Sequence, residues 1–128
     1  MKKKKAFAVL LGAAAGTLGI VLWPMFGAGE ELDTLKIGGD AKLVMENMFV
    51  RVLEERMAPG ESQAKHKHTQ GVVVARSDYQ VEGFSFTENR ATLTRRKSGD
   101  VSWVESVVHT VKNTGKTEQH LIRIELKY

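Results

Sequence analysis

Beyond Pro59 the chain is a succession of short alternating or β-branched runs separated by turn residues. Val72-Val73-Val74 runs into a Ser77-Asp78 turn, and Tyr79–Phe86 and Arg90–Arg95 flank a hairpin-like connection at Thr87-Glu88-Asn89. Ser98-Gly99-Asp100 precedes Val101–Val104. Val107, His109 and Val111 alternate with Val108, Thr110 and Lys112, and Thr114-Gly115-Lys116 leads to a last run, His120–Leu126. Short strands about ten residues apart, with no helical period after residue 58, predict an all-β sandwich or barrel.

The stretch Ala41–Met57 reads two ways. Met45, Met48, Phe49, Val52 and Leu53 would line one side of a helix, whereas Val50–Leu53 would also suit a strand. Periodicity alone leans helical, and Pro59-Gly60 ends either version.

The front of the chain has a different character. Lys2–Lys5 is followed by Ala6–Trp23, eighteen residues whose only polar side chain is Thr17. A cationic start and an apolar stretch read as a secretory signal, with small residues at Gly27 and Gly29 suited to cleavage after 29. The alternative is a membrane anchor spanning residues 6–23, which falls just short of the roughly 20 residues a bilayer core requires. The expected organisation is a signal or anchor helix over 1–29, an arm over 30–45 and one domain over 46–128. The expected location is periplasmic or secreted, or held at the membrane by the leader alone.

Charge narrows the partners. The formal net charge of +4 comes from Lys2–Lys5; the rest of the 128 residues holds 15 basic and 15 acidic groups. A balanced domain gives no electrostatic case for nucleic acid. The absence of cysteine excludes disulfides, thiolate metal sites and a cysteine nucleophile.

The candidate chemistry is carried by histidines. In a strand, His66 and His68 project from one face while Lys67 points to the other, and two neighbouring neutral imidazoles form half of a transition-metal site. His109 shares a face with Val107 and Val111, so parity puts it inside, where an unpartnered polar ring is costly. Spacing alone does not bring residue 109 to residues 66 and 68. Around these, Gln70 has the parity of His68, Glu105 sits in a loop four residues before His109, and both are candidates to support a metal. His120 lies on the face of Ile122, Ile124 and Leu126 and is expected inward, as a core-edge or pocket residue. Trp103 is expected in the core.

Two segments resemble the paired motifs of the cupin superfamily. Pro59-Gly60-Glu61 and then His66-Lys67-His68 match a glycine, five residues and HxH; Gly99–Val104 leading to His109–Asn113 matches a second motif ending in H-x3-N. The similarity spans about residues 46–127 and favours a strand over Val50–Glu54. It implies a double-stranded β-barrel (a jelly roll) with His66, His68 and His109 meeting at one divalent metal: Zn, Fe, Cu, Ni or Mn. It also leaves open a homodimer, since strand-exchanged dimers are common in that family.

The departures are specific. Val72 and Val73 stand where a glutamate ligand is usual, Asp78 or Tyr79 where a glycine is usual, and Glu105 where a proline is usual. Thiol dioxygenases of this superfamily work with three histidines alone. A centre of three neutral ligands leaves the dication uncompensated and favours a small anionic ligand. The expectation is therefore an exported metal-binding cupin, either a dioxygenase- or isomerase-type enzyme or a binding module without turnover.

Overall fold

The computed structural model describes residue 33 and residues 40–128. The expected leader helix over 1–29 and most of the arm lie outside the described residues. Nine strands follow in order: β1 (Asp40–Glu46), β2 (Val50–Met57), β3 (Ser62–His68), β4 (Gly71–Ala75), β5 (Tyr79–Ser85), β6 (Arg90–Arg96), β7 (Val101–Val104), β8 (Val107–Asn113) and β9 (Gln119–Leu126). They form a five-stranded sheet, β1-β2-β9-β4-β7, and a four-stranded sheet, β3-β8-β5-β6. All ladders are antiparallel. There is no helix among the described residues.

The helical leaning of Ala41–Met57 is overturned. The segment is a β-hairpin whose turn is fixed by Asn47, with its Oδ1 accepting from Phe49 N at 2.8 Å and Val50 N at 3.0 Å. Strand β2 then pairs with β9 along its whole length, from Val50↔Leu126 to Met57↔Gln119. Eight residues of ladder outweigh a weak local period. Met48 and Phe49, two members of the supposed helix face, are exposed at the turn. Residues 40–45, placed in the arm by the sequence, belong to this hairpin as β1.

Two glycines have a reason in the backbone. Gly60, at φ +86°, turns the chain from β2 into β3 in a conformation that side chains disfavour. Gly83 lies opposite Val111 of β8, and a Cβ there would sit 1.9 Å from the Thr110 carbonyl oxygen. Close approach of β5 and β8 therefore needs its bare Cα.

The apolar core gathers Met57, Val73, Ala75, Tyr79, Val81 and Leu121. Asn113, the last residue of the second motif, is fully buried at the end of β8. Its Nδ2 donates to the carbonyls of Met57 at 2.8 Å and Thr117 at 2.9 Å, and its Oδ1 accepts from Gly115 N. This asparagine ties the two sheets together at that end of the barrel.

The inner face of β9 is the reverse of what its apolar pattern suggests. Gln119, Leu121, Arg123 and Glu125 are buried, while His120, Ile122, Ile124 and Leu126 lie on the half-buried other face. On β2 the interior positions are Leu53, Glu55 and Met57. The barrel interior is consequently rich in polar groups.

Candidate metal centre

His66 and His68 share the inner face of β3 by strand parity, and an irregularity earlier in that strand keeps Gln63 on the same face. Gln63 pairs with Val111 and His66 with His109, so three steps on β3 face two on β8. The extra residue is a β-bulge at Ala64–Lys65, which keeps both Gln63 and His66 facing inward despite their opposite parity. The ladder then places His109 of β8 directly across from His66. Sequence spacing left this convergence open; the β3–β8 register supplies it.

The three rings meet at their Nε2 atoms. His66 Nε2 lies 3.0 Å from His68 Nε2 and 3.1 Å from His109 Nε2. Ring centroids are 4.7, 4.7 and 5.3 Å apart, all edge-on. His66 and His68 are buried to 0% and 1% exposure.

Hydrogen-bond partners assign the tautomers. His66 Nδ1 is 2.6 Å from the Ala64 carbonyl oxygen, which can only accept, so Nδ1 carries the proton and Nε2 the lone pair. His68 Nδ1 donates to Glu125 Oε2 at 2.8 Å, so its Nε2 also presents a lone pair. Burial keeps all three imidazoles neutral: it lowers the pKa of His66, lowers that of His68 further with help from Arg123, and takes His109 to about 3, with His66 adding to the effect.

These residues fit a metal ion. Two lone pairs facing each other at 3.0 Å cannot hydrogen-bond, and an electrophile between them satisfies both. Nitrogens bound to one ion at about 2.1 Å stand roughly 3.0 to 3.4 Å apart, depending on the angle between them. Among the described residues, His66, His68 and His109 form a group whose ligand atoms lie within 4.8 Å of one another. No carboxylate joins from the position that Val72 and Val73 occupy: Val73 is part of the apolar core.

Two buried carboxylates that the sequence did not single out stand behind the histidines. Glu125 accepts from His68 through one oxygen and from Arg51 Nε and Nη2 through the other, at 3.0 and 2.7 Å. Arg51 also pairs with Asp33 at 3.1 Å. Glu55 accepts from Arg123 Nε at 2.7 Å. Burial pushes the Glu55 pKa up, but the Arg123 guanidinium outweighs it, and the group stays below its ordinary range. Glu55 is thus matched by Arg123, whereas Arg51 is shared between Glu125 and Asp33.

The remaining candidates take other places. Gln70 lies past the end of β3, where its backbone N donates to Ser106 Oγ and its carbonyl accepts from Leu126 N. Glu105 is exposed on the rim of the cavity that reaches His109, and accepts from Trp103 Nε1. Trp103 itself is 52% exposed, not core: β7 is an edge strand and turns it outward. The inward expectation for His120 is also corrected, because it sits on the outer face of β9 and its Nε2 is 2.7 Å from Glu54 Oε2.

No protein-family model matches the sequence, and no curated protein matches it. Among solved structures, a cupin domain from Bordetella pertussis is 25% identical with a TM-score of 0.63, covering 78% of this chain and 100% of that one. A cupin-family protein with a double-stranded β-helix fold from Methanocaldococcus jannaschii is 11% identical with a TM-score of 0.55, over 75% of this chain and 86% of that one. A protein with a double-stranded β-helix domain from Klebsiella pneumoniae is 20% identical with a TM-score of 0.52, over 69% and 77%. The two-sheet antiparallel architecture, with its likeness to the 25%-identical cupin domain, makes the chain a member of the cupin superfamily.

Proposed function

We propose that His66, His68 and His109 hold one divalent transition metal through their Nε2 atoms, and that the barrel brings a small anionic molecule to it. The observation that carries this reading is the pair of inward lone pairs, on His66 and His68, facing each other at 3.0 Å with His109 beside them. A bound ion would supply Lewis acidity, polarising an oxygen of the incoming molecule. The chain's own groups do the positioning. The Ala64 carbonyl fixes the His66 ring, Glu125 fixes the His68 ring, and Arg51 holds Glu125 in place. The charge of a bound ion on three neutral ligands would draw an anionic molecule into the barrel.

The test is elemental analysis of untagged protein. About one metal per chain is expected, with most of it lost in His66→Ala, His68→Ala and His109→Ala. Metal retained by all three variants would place the ion elsewhere. An enzyme and a binding module would share this centre; oxygen uptake with small carboxylates and enols separates the dioxygenase reading from the others.

Export is the second part of the proposal, and rests on the cationic and apolar leader of residues 2–23. Cell fractionation checks it: a chain recovered wholly in the cytoplasm at full length would overturn it.

A further inference from the structure

We propose that the cavity wall far from the histidines is a carboxylate subsite, formed by Arg96 and Gln119, that selects a hydroxylated carboxylic acid as the ligand. The inference rests on reading the barrel interior as a ligand site and names the class of molecule it takes. A cavity of about 300 Å³ runs through the interior and includes His109, Arg96 and Gln119 in its lining. That is the small end of the range for ligand sites.

Two buried polar atoms on this wall lack a hydrogen-bond partner, Arg96 Nε and Gln119 Oε1. Gln119 is only 6% exposed. Buried groups of this kind are costly to leave unsatisfied, and these two are complementary in kind, one a charged donor and the other an acceptor. The Gln119 side chain hydrogen-bonds Tyr79, and Arg96 stands across the β5–β6 ladder from Tyr79, so the two share one end of the cavity. Tyr79 pairs with Arg96, whereas Ser85, at the other end of β5, pairs with His109. The subsite is therefore at the end away from the histidines.

The chemistry of the wall selects the ligand. An anionic oxygen suits the guanidinium edge, and a hydroxyl suits Gln119 Oε1. Between Arg96 and the histidine end, β6 turns Thr92 and Thr94 into the cavity, an unusual choice for a barrel interior and one suited to further hydroxyls. The carboxylate sits at Arg96, and the hydroxylated chain extends along the threonines toward His109. One open guanidinium donor, Arg96 Nε, fits a carboxylate better than a phosphate, which calls for a cluster of donors.

Calorimetric titration of the full chain with D-gluconate, D-glucitol and inorganic phosphate tests this, on protein as purified and again after dialysis against a chelator. Gluconate is expected to bind at least tenfold more tightly than either of the others under both conditions. Arg96→Met and Gln119→Met should each weaken gluconate at least tenfold. Should Arg96→Met fail to fold, Arg96→Lys keeps the charge, repositions the donor and is expected to weaken binding in the same direction. Equal affinity for gluconate and glucitol, phosphate binding as tight as gluconate, no gluconate binding, or unchanged affinity in the folded Arg96 variants would overturn the proposal. The chelated arm keeps the two readings apart: its result does not depend on a metal, and metal content is measured separately.

Discussion

The Nδ1 of His68 donates to Glu125 Oε2 at 2.8 Å, joining residues 57 positions apart. That contact settles which ring nitrogen of His68 faces the centre of the cluster. A carboxylate behind a ligating imidazole fixes its orientation and raises its basicity, and loss of such a partner typically costs 10- to 100-fold in metal affinity. Glu125→Ala is accordingly expected to weaken metal binding by that order, measured by competition with a chelating dye. Glu125→Gln keeps an acceptor for Nδ1 without the charge and should fall between. Wild-type affinity in Glu125→Ala would show that the contact does not tune the site.

His120 provides the contrast. It pairs with Glu54 on the outer face of β9, away from the three rings. His120→Ala should leave metal content unchanged and cost little stability, as exposed pairs do. Loss of metal in this variant, with the fold intact by circular dichroism, would contradict the placement.

Acid should destabilise the metal-free protein through its buried histidines. Their folded-state pKa values are lowered by burial, to about 3 for His109, while the unfolded chain titrates near the ordinary 6.5. The unfolded state therefore binds more protons below pH 6.5. The stability contributed by neutral burial is complete above that pH and is lost as pH falls toward the folded values. Each ring held neutral costs about 1.4 kcal/mol per pH unit in this window. Urea midpoints at pH 7.5, 6 and 5 should fall in that order, and His109→Gln should flatten the slope. Identical midpoints would rule out buried neutral histidines.

The Glu55–Arg123 pair should behave as a buried ion pair. Removing one member strands a charge at a cost of roughly 3–5 kcal/mol. Glu55→Met and Arg123→Met are each expected to destabilise by that order, and the double variant carrying both should recover much of the loss. Additive losses across the double-mutant cycle would show that the two side chains do not interact.

Gly83→Ala tests the approach of β5 to β8. The new methyl would meet the Thr110 carbonyl at 1.9 Å, so the strand carrying His109 must shift. Overpacking of this kind costs about 1–3 kcal/mol, to be read from thermal or urea unfolding. An unchanged midpoint would show that the two strands can separate freely.

Much of this was legible in the residues. Turn chemistry at Ser77-Asp78, Ser98-Gly99-Asp100 and Thr114-Gly115-Lys116 bounds strands where the sequence placed them, because such residues act locally. The HxH pair faces one side for the same reason: strand parity is a property of the backbone. Met45, Met48 and Phe49 misled because three apolar residues at helical spacing carry less weight than the ladder between β2 and β9.

Alternation divides a strand into two faces, and by itself it does not say which face is inside. On β9 the apolar face of Ile122, Ile124 and Leu126 suggested the interior, yet Arg123 and Glu125 point inward, because the interior supplies them with Glu55, Arg51 and His68 as partners. Those partners lie on other strands, and no local pattern announces them. The amino-acid order thus determined the β class, the turns and the common direction of His66 and His68. Only the tertiary structure decided that His109 stands opposite them and that Glu125 lies behind them. Ladder register and a one-residue bulge join positions far apart in the chain, and neither leaves a mark on the hydrophobic pattern.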